Sequence, residues 1–360
     1  MSDRLDDLRA ELSEVDRALL ELVGRRLSLA KQIGSVKRDR DRPTRDFARE
    51  RVVIEIARKE AARLGYRPDV AERLMRILIR SSLTAQEQDR VAAQGRGEGR
   101  HALVIGGAGK MGGWFAHFLD SQGYGVVISD PETGAFPQVD WRADPLTQEI
   151  IVVATPLRQT DPVLQELARR RPRGLVFDVG SLKSPLRRGL QALSDNGVRV
   201  CSIHPMFGPD TPLLSGRHVI FVDVGNREAA EAAKALFAPT MATCVDMGLD
   251  EHDRMIAYVL GLSHALNIAF FTALVASGED APQLAALSST TFDAQLALAA
   301  GVSRENPDLY YDIQTLNSHG ATALDALCQA AQAVRDAVST GDRDLFVSLM
   351  TSGEAYLRDR

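Results

Sequence analysis

The sequence is short of several things, and each shortage removes a class of protein. Only three cysteines occur in 360 residues, Cys201, Cys244 and Cys328. They are scattered and odd in number, so they make neither a disulfide framework nor a metal-ligand spacing. Reduced thiols in a cytoplasmic protein without a metal site are expected. Positive charge is not in excess either: 43 Lys and Arg stand against 48 Asp and Glu, a net charge of -5 at pH 7. That balance gives no general basic surface for nucleic acid or anionic membrane. The N-terminus, Met-Ser-Asp-Arg-Leu-Asp-Asp, lacks the apolar core of a signal peptide. The nearest approach to a membrane span, Val259 to Ala276, is interrupted by Ser263, His264, Asn267 and Thr272. A helix buried in protein is the expectation there. What remains is a soluble composition, 45% hydrophobic and 25% charged, in a chain long enough for two or three domains.

The stretch that organises the chain is Ala102 to Asp130. A short apolar run, Leu103 to Ile105, has the length and composition of a buried parallel strand. Gly107-x-Gly109-x-x-Gly112 follows it directly, then a helix from about Met111 to Ser121, a second strand Val126 to Ser129, and Asp130. Strand, glycine loop, helix, second strand and acid in this order make a dinucleotide site. Gly107 is expected to permit the tight turn, Gly109 to let backbone approach a pyrophosphate, and Gly112 to bring the helix close to the strand. The amides of the helix N-terminus, with Lys110 and Met111 in its first turn, would face the phosphates. Asp130 would accept from a ribose hydroxyl and repel a 2′-phosphate, which favours NAD over NADP.

Something else must occupy the first hundred residues. From Asp3 to about Arg40 there is no proline, and Leu5, Leu8, Leu12, Val15, Leu19, Leu22, Leu29, Ile33 and Val36 keep a three-four spacing. The stretch reads as one helix on the order of 50 Å long. Such a seam needs a partner chain or other long helices to cover it. Continuing the count places Arg26 in the seam between Leu22 and Leu29, where an anionic ligand would account for a buried cation. Lys37 lies about three turns on and shares its face. Arg9 points about 100° away and sits roughly 25 Å off, so it would serve such a site only from another subunit. Further helices are expected from Thr44 to about Leu64 and from Pro68 to about Gln88. By spacing alone these charges also fit a solvated helical surface.

This segment resembles the all-helical chorismate mutases. The likeness rests on Leu8-Arg9 with Asp16 and Leu19-Leu20, Arg26, Gly34-x-x-Lys37, Pro43-x-Arg45-Asp46-x-x-Arg49-Glu50, and Ser82 with Gln86. It implies a pericyclic rearrangement of chorismate to prephenate, driven by shape and charge without acid or base chemistry. Carried onto this chain, Arg26 and Arg49 would hold substrate carboxylates, with Arg9 entering from the second chain. Lys37 and Gln86 would donate to the ether oxygen. Asp46 would orient the ring hydroxyl, Glu50 would support it, and Ser82 would add a carboxylate contact.

Gln88 to Arg100 loses periodicity and gathers glycine and charge, and a flexible or semi-ordered linker is expected there. Beyond the glycine loop, Ile150 to Ala154 reads as a buried strand ending at Thr155, a candidate cofactor contact at the ligand edge of the sheet. Leu175 to Asp178 delivers Gly180-Ser181-Leu182-Lys183, and Val198 to Ile203 delivers His204-Pro205-Met206-Phe207-Gly208-Pro209. Strands at His218 to Asp223 and Thr243 to Asp246 complete the sheet. A histidine held at the mouth of a nicotinamide site is a candidate base, because oxidising an alcohol carbon releases a hydroxyl proton as hydride departs.

The runs Asp178-x-x-Ser181-x-Lys183, His204-Pro-Met-Phe-Gly-Pro-Asp210, Glu251-His252-Asp253, Leu287-Ser288-Ser289 and Asn306-Pro307-x-Leu309-Tyr310-x-Asp312-Ile313 resemble prephenate dehydrogenases. With the mutase in front, the whole chain is similar to the bifunctional chorismate mutase/prephenate dehydrogenases of tyrosine biosynthesis. The resemblance implies that His204 accepts the ring-hydroxyl proton of prephenate as hydride passes to NAD, with loss of CO2 giving 4-hydroxyphenylpyruvate. Ser181 would hydrogen-bond the hydroxyl and His204, and His264 would help position the substrate.

From Asp250 onward alanine-rich apolar helices take over, expected at Asp250 to Ala276, Gln283 to Ala300, Tyr310 to Thr340 and Asp342 to Arg358. Their apolar content suggests an interlocked homodimer. The expected division is therefore a helical mutase domain over 1–90, a linker over 91–100, a Rossmann-like NAD domain over 101–247 and a helical substrate and dimerisation domain over 248–360. One departure stands out. Where relatives carry an arginine for prephenate, this chain has Asp293, which cannot grip a carboxylate, so the binding mode differs or the substrate is arogenate, whose ammonium Asp293 could meet. Alternatives are substitution by a cation such as Arg304, or a monofunctional dehydrogenase whose N-terminal helices do not catalyse. Relatives also respond to tyrosine; with no regulatory region evident after the helices, such inhibition would act at or near the catalytic sites.

Overall fold

The computed structural model describes residues 4–358. Three helices open the chain: α1 (Arg4–Asp39), α2 (Phe47–Arg63) and α3 (Pro68–Gln94). Asp46 caps α2 by accepting from the Arg49 amide at 2.9 Å, satisfying a donor the helix would otherwise leave orphaned. Helix α3 packs on both others. Its contact with α1 is close because Gly34 has no side chain: a Cβ there would come within 2.8 Å of Gln86 Cγ. The first half of α1 has no such cover. Leu8, Leu12, Val15 and Leu22 are each more than half exposed, at 55%, 60%, 59% and 62%.

A seven-stranded sheet follows, with its helices in chain order: β1 (His101–Ile105), α4 (Lys110–Ser121), β2 (Gly125–Ser129), β3 (Ile150–Val153), α5 (Leu157–Arg170) and β4 (Leu175–Asp178). Then come α6 (Arg187–Asp195), β5 (Val200–Pro205), β6 (His218–Asp223), α7 (Arg227–Phe237) and β7 (Thr243–Gly248). The spatial order is β2-β1-β3-β4-β5-β6-β7, parallel as far as β5. Strand β6 then runs antiparallel to β5, and β7 parallel to β6. Ile150, Ile151, Val152 and Val153 are all buried, as are the four residues of β4, because helices cover both faces. The apolar content of the two clusters, one around Phe115, Phe177 and Phe237 and one around Leu164, Leu186 and Leu193, places a core on each side of the sheet.

The rest is helical: α8 (Leu249–Ile256), α9 (Ser263–Ser277), α10 (Ala281–Ala286), α11 (Thr290–Ser303), α12 (Pro307–Leu316), α13 (Gly320–Thr340) and α14 (Arg343–Arg358). A π-helical stretch, Ala257–Leu262, joins α8 to α9. By length and composition Leu249–Ser277 could cross a membrane. The expectation that this stretch is buried in protein is not met within one chain: α9 has no buried residue, and Val275 is 80% exposed.

Three sequence expectations need correction. The linker is not loose: α3 continues to Gln94, and Gly97 donates its amide to Gln122 O at 2.9 Å. Composition showed glycine and charge but not that the segment docks on the end of α4. Helix Gln283 to Ala300 is broken at Leu287–Ser289, because the Ser289 hydroxyl caps a new helix through the Phe292 amide. Helix Tyr310 to Thr340 is broken at Asn317, whose side chain leaves the helix to donate to Asp253 O at 2.9 Å.

Candidate active sites

The glycine loop turns differently from the expectation. The residue that needs the left-handed region is Gly106, with φ +86°, and a Cβ there would meet Ala154 O at 2.5 Å. Gly107 has no positive φ; its place is against Ile128, where a Cβ would come within 2.5 Å. Gly112 does hold helix to loop, since its Cβ would lie 2.0 Å from Gly106 O. Gly109 caps α4 without a side chain, leaving the first amides of that helix, Lys110 and Met111 among them, without a side-chain partner. That open N-terminus is what a pyrophosphate requires. At the end of β2, Asp130 accepts from Ala108 N at 3.1 Å and from Glu132 N at 3.0 Å, which fixes its carboxylate beside the loop. Thr155 lies across the loop at the end of β3, its hydroxyl 3.1 Å from that of Thr160. These residues fit NAD: free amides for the phosphates, an acid at the ribose position and backbone that only glycine allows to come close.

Four parallel strands end at this edge, and β5 brings His204 to it. His204 lies within β5, paired with Ile220 of β6, where the sequence suggested a turn after Ile203. The antiparallel return of β6 extends the strand through Pro205. His204 is 4% exposed, and its Nδ1 is 2.9 Å from His252 Nε2 on α8. His252 Nδ1 in turn lies 2.7 Å from Asp253 Oδ1. The amides of Lys183 and Ser184 donate to the same carboxylate at 2.9 Å and 2.7 Å. Burial pushes the Asp253 carboxyl up, but the bonds from His252, Ser184 and Lys183 outweigh it and hold its pKa at about 2. Burial lowers His204 well below the usual imidazole range, helped by the neighbouring His252 and Lys183. It lowers His252 as well.

The expected Ser181–His204 hydrogen bond is not formed; the partner of His204 is His252. Ser181 follows β4 and is only partly buried. Beneath it Lys183 is fully buried and donates to Asp178 Oδ1 at 2.7 Å and to Ile203 O at 2.7 Å, a charge kept inside because it is paired. His264 follows the π-helical stretch and stacks on Tyr310, with ring centroids 4.1 Å apart. Its Nδ1 is buried without a hydrogen-bond partner, and burial lowers its pKa. Arg158 reaches Asp312 at 2.6 Å, tying α5 to α12 across the cleft. Asp293 accepts from the Ser288 hydroxyl in the first turn of α11, where a carboxylate suits the helix dipole. Arg304 caps the far end of the same helix and is exposed.

A second cluster lies in the opening helices. Arg26 Nη1 donates to Leu78 O at 2.7 Å and to Ser82 Oγ at 2.5 Å. Gln86 Nε2 donates to Ala30 O at 2.7 Å, while its Oε1 is buried without a partner. Lys37 Nζ donates to Thr44 O at 2.7 Å. Glu50 is gripped in a two-pronged ion pair by Arg45, at 2.9 Å and 3.0 Å. Helices α1 and α3 therefore bring Arg26, Ser82 and Gln86 together, and Lys37 stands on the same face of α1. Asp46 and Arg49 are exposed at the start of α2. Arg9 stays on the uncovered half of α1, paired with Asp6 at 3.4 Å.

Arg45, His252, Asp253 and Gly106 are the residues that the sequence did not assign a role. The first three stood within quoted runs, but only the fold shows what they touch.

The two sites thus define an NAD-linked oxidoreductase preceded by a helical, cation-rich mutase. Chorismate mutase type II matches residues 8–87. The prephenate dehydrogenase nucleotide-binding domain matches 138–245, and the prephenate dehydrogenase dimerization domain 249–352. The chain is 29% identical to the T-protein of Enterobacter agglomerans, over 100% of this chain and 94% of that protein. It is 28% identical to the T-protein of Haemophilus influenzae, over 96% of this chain and 90% of that one. Its fold matches that of A. aeolicus prephenate dehydrogenase in complex with hydroxyphenyl propionate and NAD+, with a TM-score of 0.59 at 17% identity, over 72% of this chain and 98% of that one. The chain belongs to the bifunctional chorismate mutase/prephenate dehydrogenase family. Its two activities are the isomerisation of chorismate to prephenate and the NAD-dependent oxidation of prephenate in tyrosine biosynthesis.

Proposed function

We propose that His204 is the base of the oxidation and that the buried chain His204–His252–Asp253 sets which of its nitrogens does the work. Asp253 is a carboxylate, so the His252 proton sits on Nδ1 and its Nε2 accepts. His204 must then donate from Nδ1, which leaves its Nε2 bare for the ring-hydroxyl proton of prephenate. NAD, when bound, accepts hydride from the carbon bearing that hydroxyl; loss of CO2 aromatises the ring. His204 receives the proton, and the imidazolium so formed is stabilised through His252 by Asp253. Ser181 orients the hydroxyl from the end of β4, and His264, its Nδ1 unpartnered, is available to the substrate.

The observation that carries this reading is the His204–His252–Asp253 chain. A lowered His204 pKa keeps the base neutral in mildly acid solution, so dehydrogenase kcat/KM should hold its plateau as pH falls through 6.5, declining only below it. Asp253→Asn should cut dehydrogenase kcat by about tenfold to a hundredfold, part of the full effect of a base, while chorismate rearrangement is unchanged. Stopped assays of both activities across pH check this, and an unaffected Asp253→Asn enzyme would show that the chain does not set the tautomer.

The mutase residues act by holding charge. Arg26, Arg49 and Ser82 bind carboxylates, Lys37 and Gln86 donate to the ether oxygen, and Asp46 with Glu50 orients the ring hydroxyl. A second copy of the chain covers the apolar half of α1 and brings Arg9 to the partner's site, so the working cytoplasmic enzyme is a homodimer. Prephenate is the preferred substrate of the oxidation, because Asp293 is occupied by Ser288 at a helix start. The test is chorismate disappearance without cofactor, followed by NAD reduction with prephenate and with arogenate. Prephenate should be preferred by about tenfold or more in kcat/KM, the worth of one hydrogen bond to a charged group. Preference for arogenate would instead give Asp293 the substrate ammonium.

A further inference from the structure

The mutase helices and the dehydrogenase sheet meet at the segment that links β5 to β6, downstream of His204. Glu87, adjacent to Gln86 on α3, is 4% exposed. Its two carboxylate oxygens accept from the backbone amides of Leu214, at 2.9 Å, and Met241, at 2.6 Å. Both donors belong to the dehydrogenase. Beside them Arg45 uses one edge to grip Glu50 and its remaining nitrogen, Nη1, to donate to Ser215 Oγ at 2.8 Å. Arg45, Glu50, Leu213 and Ser215 line one cavity of about 180 Å3 between the domains.

A carboxylate buried this deeply is costly unless its oxygens are satisfied, and nothing in the mutase helices supplies the donors. Nor does Glu50 face Arg45 by chance of rotamer, since the guanidinium is fixed at three points: Glu50, Ser215 and the Phe47 ring, 4.3 Å from its centre. Two residues expected at chorismate, Gln86 and Glu50, are thus each one step from a dehydrogenase anchor.

We propose that the dehydrogenase segment Leu213–Ser215 is a positioning element of the mutase site, with Ser215 orienting Glu50 through Arg45 and the Leu214 amide holding the α3 turn that carries Gln86. The proposal rests on the assignment of Glu50 and Gln86 to the mutase site. Its consequence is directional: a change in the dehydrogenase domain, outside the NAD and prephenate residues, alters chorismate handling.

The experiment compares Ser215→Ala, Ser215→Thr and Glu50→Gln in the full-length enzyme. Ser215 is half-buried and small, so alanine leaves the fold intact. Ser215→Ala should raise the mutase KM for chorismate by about threefold to tenfold, the worth of one hydrogen bond, with a smaller change in kcat. Dehydrogenase kcat/KM on added prephenate should stay near the parent value, and Ser215→Thr should restore the mutase KM. An unchanged mutase KM in Ser215→Ala, with Glu50→Gln impaired, overturns the positioning role alone. Equal loss of both activities also overturns it, because a general structural role would do the same. Normal mutase kinetics in Glu50→Gln overturns the site assignment and this proposal with it.

Discussion

His204→Asn should lower NAD reduction on prephenate by about 10²–10⁴-fold, the contribution of a positioned base, while chorismate rearrangement proceeds at its parent rate. Asparagine is the informative replacement. Its amide can still donate to His252 Nε2, which preserves the buried contact at 2.9 Å, but it offers no basic nitrogen towards substrate. The loss is therefore expected in kcat, with KM for prephenate and NAD little changed. Added base or high pH should not restore the rate, since the missing group sits where solvent does not reach: His204 is 4% exposed in the chain alone. Parallel loss of mutase activity would argue against two separate sites, and a rate within a few-fold of the parent would remove His204 from the chemistry.

Lys37→Ala should produce the mirror image. The rearrangement has no proton to transfer, so the enzyme's contribution is a fixed charge where negative charge gathers on the ether oxygen. Deleting one such donor costs about 10²–10³-fold in kcat. In the proposed site Lys37 is held by its bond to Thr44 O at 2.7 Å, which fixes the ammonium at the end of α1 against the segment that leads into α2. Supplying prephenate to the Lys37→Ala enzyme should give parent rates of NAD reduction; chorismate should give almost none, because the first step no longer feeds the second. Equal loss on both substrates would mean that Lys37 supports the fold rather than the transition state.

Much of this protein could be read along the chain because its information is local. The three-four seam of α1, the glycine loop between an apolar strand and a helix, and the polar residues at the carboxyl ends of β3, β4 and β5 are all patterns within about thirty residues. Helix arithmetic puts Arg26 and Lys37 on one face, but by spacing alone a solvated surface fits as well; their mutase roles come from the resemblance. Gly34-x-x-Lys37 even marks the close approach of α3, whose Gln86 fills the space that a side chain would take.

What the tertiary structure decided is pairing between residues far apart in sequence. His204 and His252 are 48 positions apart, and nothing periodic links them; they meet because β6 runs antiparallel, lengthens β5 and so carries His204 under α8. Arg45 and Ser215 are 170 apart and meet only because α3 docks on the sheet through Glu87. The linker misled for the same reason, since glycines that look flexible by composition are here what lets backbone pack on Gln122 and Tyr124. Local propensity and spacing determined most of the elements and which polar residues reach the end of the sheet. The buried hydrogen bonds from His204 to His252 and from Arg45 to Glu50 and Ser215 came from the packing of whole elements, whose cost and gain no short stretch of sequence contains.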